Sequence, residues 1–254
     1  MKKDTLAQTL IKGLDVLECV AASKTPLSAM EVSKRTGISR PTAYRLLISL
    51  EIKGYVARES TSLFRMGSSI LKLSKNELDK FELTEIAKPA LIKLCEKTGE
   101  TSILSILSGI DIINLARIES SKTIRIESKV GSISPAYCTA TGKAILAFLE
   151  KQKRDELISR IDFIPRTKKT ARNAQELAAR LDTIHLQGYS IDDHEYDDEM
   201  MCISAPIFDI TGKVVAAIGF SGVAFRVEKL DQNEIIQSVL EAANDVSRRI
   251  GYKK

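Results

Sequence analysis

The sequence predicts an α+β chain in two parts joined by a helix: residues 1–67 as three short helices closed by a hairpin, residues 68–82 as the connecting helix, and residues 83–254 as a larger mixed domain. Three observations lead there. Apolar residues recur at helical spacing through the first fifty positions and then give way to two short β-prone runs. From Thr101 onward, segments of strand character alternate with charged helical stretches. The charge is also uneven: residues 1–67 hold 11 Lys and Arg against 6 Asp and Glu, whereas the remaining residues balance.

In order along the chain, Leu10, Gly13, Leu14, Leu17, Val20 and Ala21 mark a first amphipathic helix from about Leu6 to Ser23. Ser28 and Glu31 form an S-x-x-E capping box that opens a second, which Gly37 ends in the left-handed conformation glycine adopts without penalty. After the turn Gly37-Ile38-Ser39 comes a third helix with Pro41 in its first turn, where a missing N–H costs little. Ala43, Leu46, Leu47 and Leu50 fall on one arc of it and define its core face; Pro41, Arg45 and Ile48 centre the opposite face. Two β-prone runs, residues 55–58 and 63–66, flank the polar link 59–62 and read as a hairpin. Three helices, a glycine turn between the last two and then a hairpin make a winged helix-turn-helix.

Residues 68–82 have helical periodicity, and Ile70, Leu71, Leu73 and Leu78 give them more apolar surface than a solvated connector needs. A long helix is expected over 83–98. Strands follow at 101–109, 111–118 and 123–129, then a helix over 141–149, charged helices near 152–161 and 174–187, strand and turn from Met201 to Phe225 with a hairpin turn at Asp209-Ile210-Thr211-Gly212, and a last helix over 230–250.

Composition narrows the function classes. The basic first quarter suits a phosphate backbone, where each Lys or Arg releases a counterion on binding. No apolar run approaches a membrane span. The first residues lack the apolar stretch of a secretory signal, and Cys19, Cys95, Cys138 and Cys202 have no metal-ligand or redox spacing, so a cytoplasmic protein without metal or cofactor is expected. An enzyme would need Cys138 or Cys202 as nucleophile with His194 as base, but His194 sits in the acidic run DDHEYDDE and no third, orienting group is identifiable. The same run reads as a polar loop in preference to a metal site. A purely structural DNA-bending protein would have no use for so large a second domain.

The chain resembles the IclR-type bacterial transcription regulators along nearly its whole length. The resemblance is carried by GLDVLECV, SAMEVSKRTGISRPTAYRLLISLEIKGYV and FRMG in the first part, and by SISPAYCTATGKAILAFL, QGYSIDD and CISAPIFDITGKVVAAIGFSG in the second. It implies a winged helix-turn-helix, a linker helix and a C-terminal GAF-like α/β effector domain, assembled as a homodimer or homotetramer on operator DNA and switched by a small organic acid or related metabolite. A repressor is the expected sense of regulation, and an enzyme is not expected.

On that reading Arg40, Thr42, Tyr44, Arg45 and Ser49 of the third helix face DNA, with Arg45 reaching a guanine edge or a phosphate. Ser28, Ser39 and Pro41 flank them at the helix starts, and Arg58 and Arg65 on the wing are expected at phosphates. The resemblance implies a ligand pocket lined by Thr139, Ala140, Thr141 and Gly142 in the loop that opens a helix, together with Asp192, Cys202, Gly219 and Ser221. Free N–H groups at that helix start suit a carboxylate.

Overall fold

The computed structural model describes residues 7–70 and 78–253, with the side chains of all but residues 60 and 78–82. The chain divides into two compact units, Met1–Asp79 and Lys80–Lys254.

In the first unit, α1 (Gln8–Ala21), α2 (Ala29–Thr36) and α3 (Arg40–Ile52) pack with β1 (Leu27–Ser28), β2 (Val56–Ser60) and β3 (Leu63–Met66). The strands form an antiparallel sheet in the order β1-β3-β2. Val16, Val20, Val32, Ala43, Leu47 and Phe64 centre one apolar core. The α2 start is the expected capping box, and Gly37 closes the helix at φ 71°.

Three details differ from the sequence reading. The period expected for α1 is right but only the later part of its stripe is buried: Val20 is buried as expected and Val16 joins it, while Leu10 and Leu14 are 64% and 49% exposed. Only the second half of the helix lies over the core, so apolar residues of its first two turns have nothing to pack on. The strand β1 was not expected, since two residues show no alternation; it pairs Leu27 with Phe64. The hairpin also carries β2 on to Ser60, with a bulge between Arg58 and Ser60, leaving Thr61 and Ser62 as the turn.

Residues 71–77 of the expected linker helix, Leu71 and Leu73 among them, lie outside the described residues. Helix α4 (Leu78–Thr98) runs through residue 83 without a break. It is followed by β4 (Thr101–Ser108), β5 (Asp111–Ile118), β6 (Ile133–Pro135), a 3-10 turn (Ala136–Cys138), α5 (Ala140–Leu146), α6 (Lys151–Ile158) and α7 (Ala174–Gln187). The chain finishes with β7 (Ser190–Asp193), β8 (Met200–Phe208), β9 (Val214–Val223), the single turn α8 (Ala224–Val227) and α9 (Gln232–Arg249). Six antiparallel strands stand in the order β6-β5-β4-β9-β8-β7. Side chains alternate between the two faces of a strand, and both faces are covered here. Leu104, Ile203, Ile218 and Phe220 meet α4 and α9 on one side. On the other, Ala217 packs on Ala144 and Ile145 of α5, beside a core shared by α5, α6 and α7.

The strand expected over 123–129 does not form. Its carbonyls are taken by side chains instead of a ladder: Arg226 donates to Ile124 O, Thr101 to Ile126 O and Arg117 to Ser128 O. The edge strand on this side is β6, which pairs Ile133 with Ile113 and Ser134 with Ile112 of β5. Arg226 is itself fixed by buried Glu100, with Nε at 2.6 Å and Nη2 at 2.7 Å from the two carboxylate oxygens. Gly222 makes room for Val227 and Glu100, since a Cβ there would lie 2.4 Å from Val227 Cγ2 and 2.9 Å from Glu100 Cγ. Segment 121–130 is thereby tied down across the ends of β4 and β9.

Candidate functional site: an open helix face and an enclosed pocket

In the first unit the short turn between α2 and α3 leaves one side of α3 open. Ala43 and Leu47 anchor the helix in the core, and Arg40, Pro41, Tyr44, Arg45 and Ser49 are exposed, with Thr42 half-buried. Arg40, Arg45 and, on the wing, Arg65 have no hydrogen-bond or ion-pair partner among the described residues. Other expected contact residues are engaged internally, among them Ser49, whose hydroxyl donates to Arg45 O at 2.9 Å. Ser28 accepts from Glu31 N and donates to its carboxylate at 2.7 Å. Ser39 donates to Thr42 Oγ1 at 2.9 Å.

Arg58 is the clearest case. Its Nε and Nη2 donate to the two oxygens of Glu51 at 3.1 and 2.9 Å, and its Nη1 donates to Thr61 O at 3.1 Å. The guanidinium also lies 5.1 Å from the Phe64 ring centre, and Tyr44 meets the same ring edge-on at 6.3 Å. The bond to Arg58 holds the Glu51 carboxyl below its ordinary pKa. Arg58 therefore bolts the wing to the end of α3.

The second unit forms a partly open cavity of about 340 Å³ between the sheet, the start of α5 and segment 126–134. Two rows of paired residues cross the same face of β7, β8, β9 and β4 beneath it: Asp192, Cys202, Ser221, Thr101 and, one rung on, Ser190, Ser204, Gly219, Ile103. Of the residues expected here, Thr139, Ala140, Thr141, Asp192, Cys202 and Ser221 line the cavity.

Gly142 and Gly219 do not line it, which corrects the sequence expectation. Each lacks a side chain for the sake of close packing. A Cβ on Gly142 would fall 2.3 Å from Ala136 O, where α5 approaches the 3-10 turn. A Cβ on Gly219 would fall 2.2 Å from both Ile203 O and Ser204 Oγ. The α5 start is capped by Thr139, whose hydroxyl accepts from Gly142 N.

The sequence reading missed Ser204 and Asn114. Ser204 lies two residues beyond Cys202, and strand alternation alone would have put it on the same face. Asn114 is the one amide in the apolar strand DIINLARI; it accepts from Ser105 Oγ at 2.7 Å and donates to Ser132 at 3.0 Å. Thr141 Oγ1 and Ser204 Oγ are buried without a hydrogen-bond partner among the described residues. A buried hydroxyl ordinarily has a partner, because leaving it unpaired costs its desolvation.

The charges around the cavity are largely neutralised. Lys143 Nζ is buried, donates to Ile191 O at 2.7 Å and pairs with Glu195, whose other oxygen takes Arg180 at 2.6 Å. Asp192 Oδ1 accepts from Glu195 N at 2.8 Å and Tyr196 N at 3.2 Å. Burial nevertheless raises the Asp192 pKa to about 7, against the pull of Lys143 and of those two N–H groups. Burial and the neighbouring Asp192 push Cys138 up to about 12, and the same two causes raise Cys202. Both sulfurs are thus protonated at neutral pH. His194 is not a lining residue; its Nδ1 lies 2.6 Å from Asp198 O and its Nε2 near Asp193 and Glu228. No Cys–His pair is assembled among the described residues. Among the described residues no three His, Cys, Asp or Glu side chains are grouped to hold a metal. Nor is any described helix long and apolar enough to cross a membrane.

A helix-turn-helix with a wing and an open, cationic third helix, followed by an α/β domain with a small cavity lined by apolar and polar side chains, defines a DNA-binding transcription regulator with an effector domain. Comparison with known proteins gives the family. Residues 9–60 match the IclR helix-turn-helix domain, and residues 75–248 match the bacterial transcriptional regulator IclR C-terminal domain. The chain belongs to the IclR family of bacterial transcription regulators. It is 30% identical to the HTH-type transcriptional regulator BhcR of Paracoccus denitrificans, over 97% of this chain and 88% of that one. It is 28% identical to KdgR of Dickeya chrysanthemi, over 99% of this chain and 82% of that one. Among solved structures, the IclR of Thermotoga maritima superposes with a TM-score of 0.72 at 29% identity, covering 97% and 100% of the two chains.

Proposed function

We propose that the chain recognises an operator through α3, with Arg45 and Arg40 at bases or phosphates, Arg65 at phosphate, and Thr42, Tyr44 and Ser49 completing the surface. A small organic acid held between the α5 start and the Asp192–Cys202–Ser221 row changes that affinity by favouring one of two conformations. The observation that carries the reading is the pairing pattern on α3. Its cations face outward with no partner, which is the arrangement a phosphate backbone rewards.

The pocket reading is supported by a cavity with apolar walls and a few directed polar groups, the usual composition of a small-molecule site. A similar fold, from Microbacterium hydrocarbonoxydans, was solved in complex with 4-hydroxybenzoate; an acid of that size suits a cavity of about 340 Å³ here. We read the protein as a cytoplasmic repressor without catalytic activity. It acts as a homodimer or homotetramer, because a single recognition helix covers too few bases and two-fold pairing sets two of them on half-sites.

The test is a gel-shift selection against genomic fragments with the purified full chain. Specific fragments should be retained at least 10³-fold over random DNA, and organic acids should shift that affinity. Retention no tighter than to random DNA overturns the reading.

A further inference from the structure

We propose that Ser204 is a specificity-determining ligand contact, and that the group it receives is a neutral oxygen of the ligand, a hydroxyl or a carbonyl, with the ligand's carboxylate placed elsewhere. This rests on the pocket reading above and goes beyond it by fixing the chemistry at one end of the site.

The inference starts from where the hydroxyl lies. Ser204 is fully buried, lines the cavity, and has no partner for Oγ among the described residues. It stands between Ser190 on β7 and Gly219 on β9 in one row across the sheet. Ser190 Oγ is also buried and unpaired, so the two serines do not bond each other. The reason is visible at Gly219: a Cβ there would lie 2.2 Å from Ser204 Oγ. The hydroxyl therefore leans over the glycine, away from Ser190, and fills the space a side chain at 219 would take. Thr141 supplies a second unpaired buried hydroxyl from the α5 side of the same cavity. Two buried hydroxyls lacking partners in one cavity are the condition a polar ligand relieves.

The charge of the received group follows from its surroundings. The neighbouring row holds the Asp192 carboxyl. The nearest buried cation, Lys143, is already engaged by Glu195 and Ile191 O. A carboxylate laid against Ser204 would face Asp192 with no free cation to neutralise it, an arrangement burial makes costly. A hydroxyl or carbonyl meets no such opposition. The ligand's carboxylate then points to the exposed side, where Lys129 and Glu127 both line the cavity and form a solvent-exposed pair whose lysine a ligand carboxylate can share.

The experiment measures binding to the full chain, by calorimetry, of three matched pairs that differ by one hydroxyl: propionate and lactate, butyrate and 3-hydroxybutyrate, phenylacetate and 4-hydroxyphenylacetate. The wild-type protein should prefer the hydroxylated member of at least one pair by about tenfold, the worth of one hydrogen bond. In Ser204→Ala that preference should shrink to within about twofold, with the non-hydroxylated member bound as before. The melting temperature of unliganded Ser204→Ala should hold or rise, because the substitution removes a buried hydroxyl that has no partner. A hydroxyl preference that survives Ser204→Ala, or a variant that melts lower and binds like wild type, overturns the proposal and leaves Ser204 a packing residue over Gly219. Failure of the wild-type protein to bind any of the six acids overturns it together with the pocket reading, a result distinct from either.

Discussion

Among the described residues, the amino-terminal unit leaves the cations Arg40, Arg45 and Arg65 without partners, all exposed; the carboxy-terminal unit leaves the hydroxyls of Thr141 and Ser204 without partners, both buried beside a cavity, with Ser190 a third buried hydroxyl in the same row as Ser204. The contrast follows from what each surface meets. A phosphate backbone is a diffuse, fully hydrated charge, so cations serve it best from the surface, and each adds to affinity by releasing counterions. A small acid is held by a few directed bonds in a place water does not dominate, and the groups that make them stand unpaired until it arrives. The same inventory identifies what is not available for either task. Ser28, Arg58 and Lys143 carry the right chemistry for binding and are each consumed by an internal partner.

The largest effect is expected on the open helix. Replacing Arg45 with Ala should cost roughly 1 to 3 kcal/mol of operator binding and relax specificity at one position when a base is read there. Competition gel shifts with single-position operator variants measure both. Loss that is uniform over all variants would reassign Arg45 to phosphate, and no loss would remove it from the interface.

The pocket gives the next effect, through pH. Asp192 has a pKa near 7, raised from its ordinary value by burial. A raised carboxyl pKa means the folded protein holds a proton that the unfolded chain has lost. Stability of the unliganded protein should therefore decline as pH rises from about 4 to about 7, and level off above. Affinity for an anionic acid should follow the same proton: steady below pH 7 and falling by up to about tenfold per unit above it, as the ionised Asp192 repels the ligand. Asp192→Asn should flatten that dependence. Titration calorimetry between pH 6 and 8.5 reads it, and an affinity that stays level to pH 8.5 in wild type would place the ligand away from Asp192.

A smaller loss, of one hydrogen bond, is expected from Ser221→Ala. It should weaken ligand binding by about tenfold and leave operator binding without ligand unchanged, because the two sites communicate through a conformational equilibrium. A change in the unliganded operator affinity would show that Ser221 also sets the equilibrium itself.

The extent to which the two regions were legible in the sequence differs for physical reasons. Helix caps are local: Ser28 with Glu31, and Gly37 in the left-handed region, are fixed by residues within one turn, and both stand where their spacing puts them. The α1 stripe shows the limit of that logic. Periodicity locates a face, but whether Leu10 or Val16 is buried depends on how far the neighbouring core extends. In the pocket, Asp192, Cys202 and Ser221 come together only through strand register, which no local signal carries; they were found by family resemblance. Gly142 and Gly219 were misassigned because a glycine beside a pocket and a glycine required by packing read alike until the distance to Ala136 O or Ser204 Oγ is known. The missing strand at 123–129 has the same origin, since the partners of its carbonyls, Arg226 and Arg117, lie on other elements.

The smallest effect should come from Arg58, and it sharpens the comparison most. The sequence alone places it on the wing as a phosphate contact; its Nε and both Nη groups already donate, two of the three to Glu51 of α3. The pair is partly exposed, each side chain at 30%, and ion pairs in such settings contribute little to stability. Operator affinity in Arg58→Ala should accordingly fall by no more than about fivefold, through looser positioning of the wing against α3. The salt dependence separates this from a lost phosphate contact. A phosphate contact carries about one unit of the slope of log affinity against log salt, so its removal lowers the slope by that amount. Removal of a positioning pair leaves the slope as it was. Glu51→Gln supplies the control, because it breaks the same pair while leaving the Arg58 cation in place and newly free. If Arg58 only positions the wing, the two variants should lose affinity to a similar extent and keep the wild-type slope. If Arg58 neutralises phosphate, Arg58→Ala should lower the slope by about one unit while Glu51→Gln binds as tightly as wild type or tighter, and the wing would then join α3 among the surfaces whose cations serve DNA.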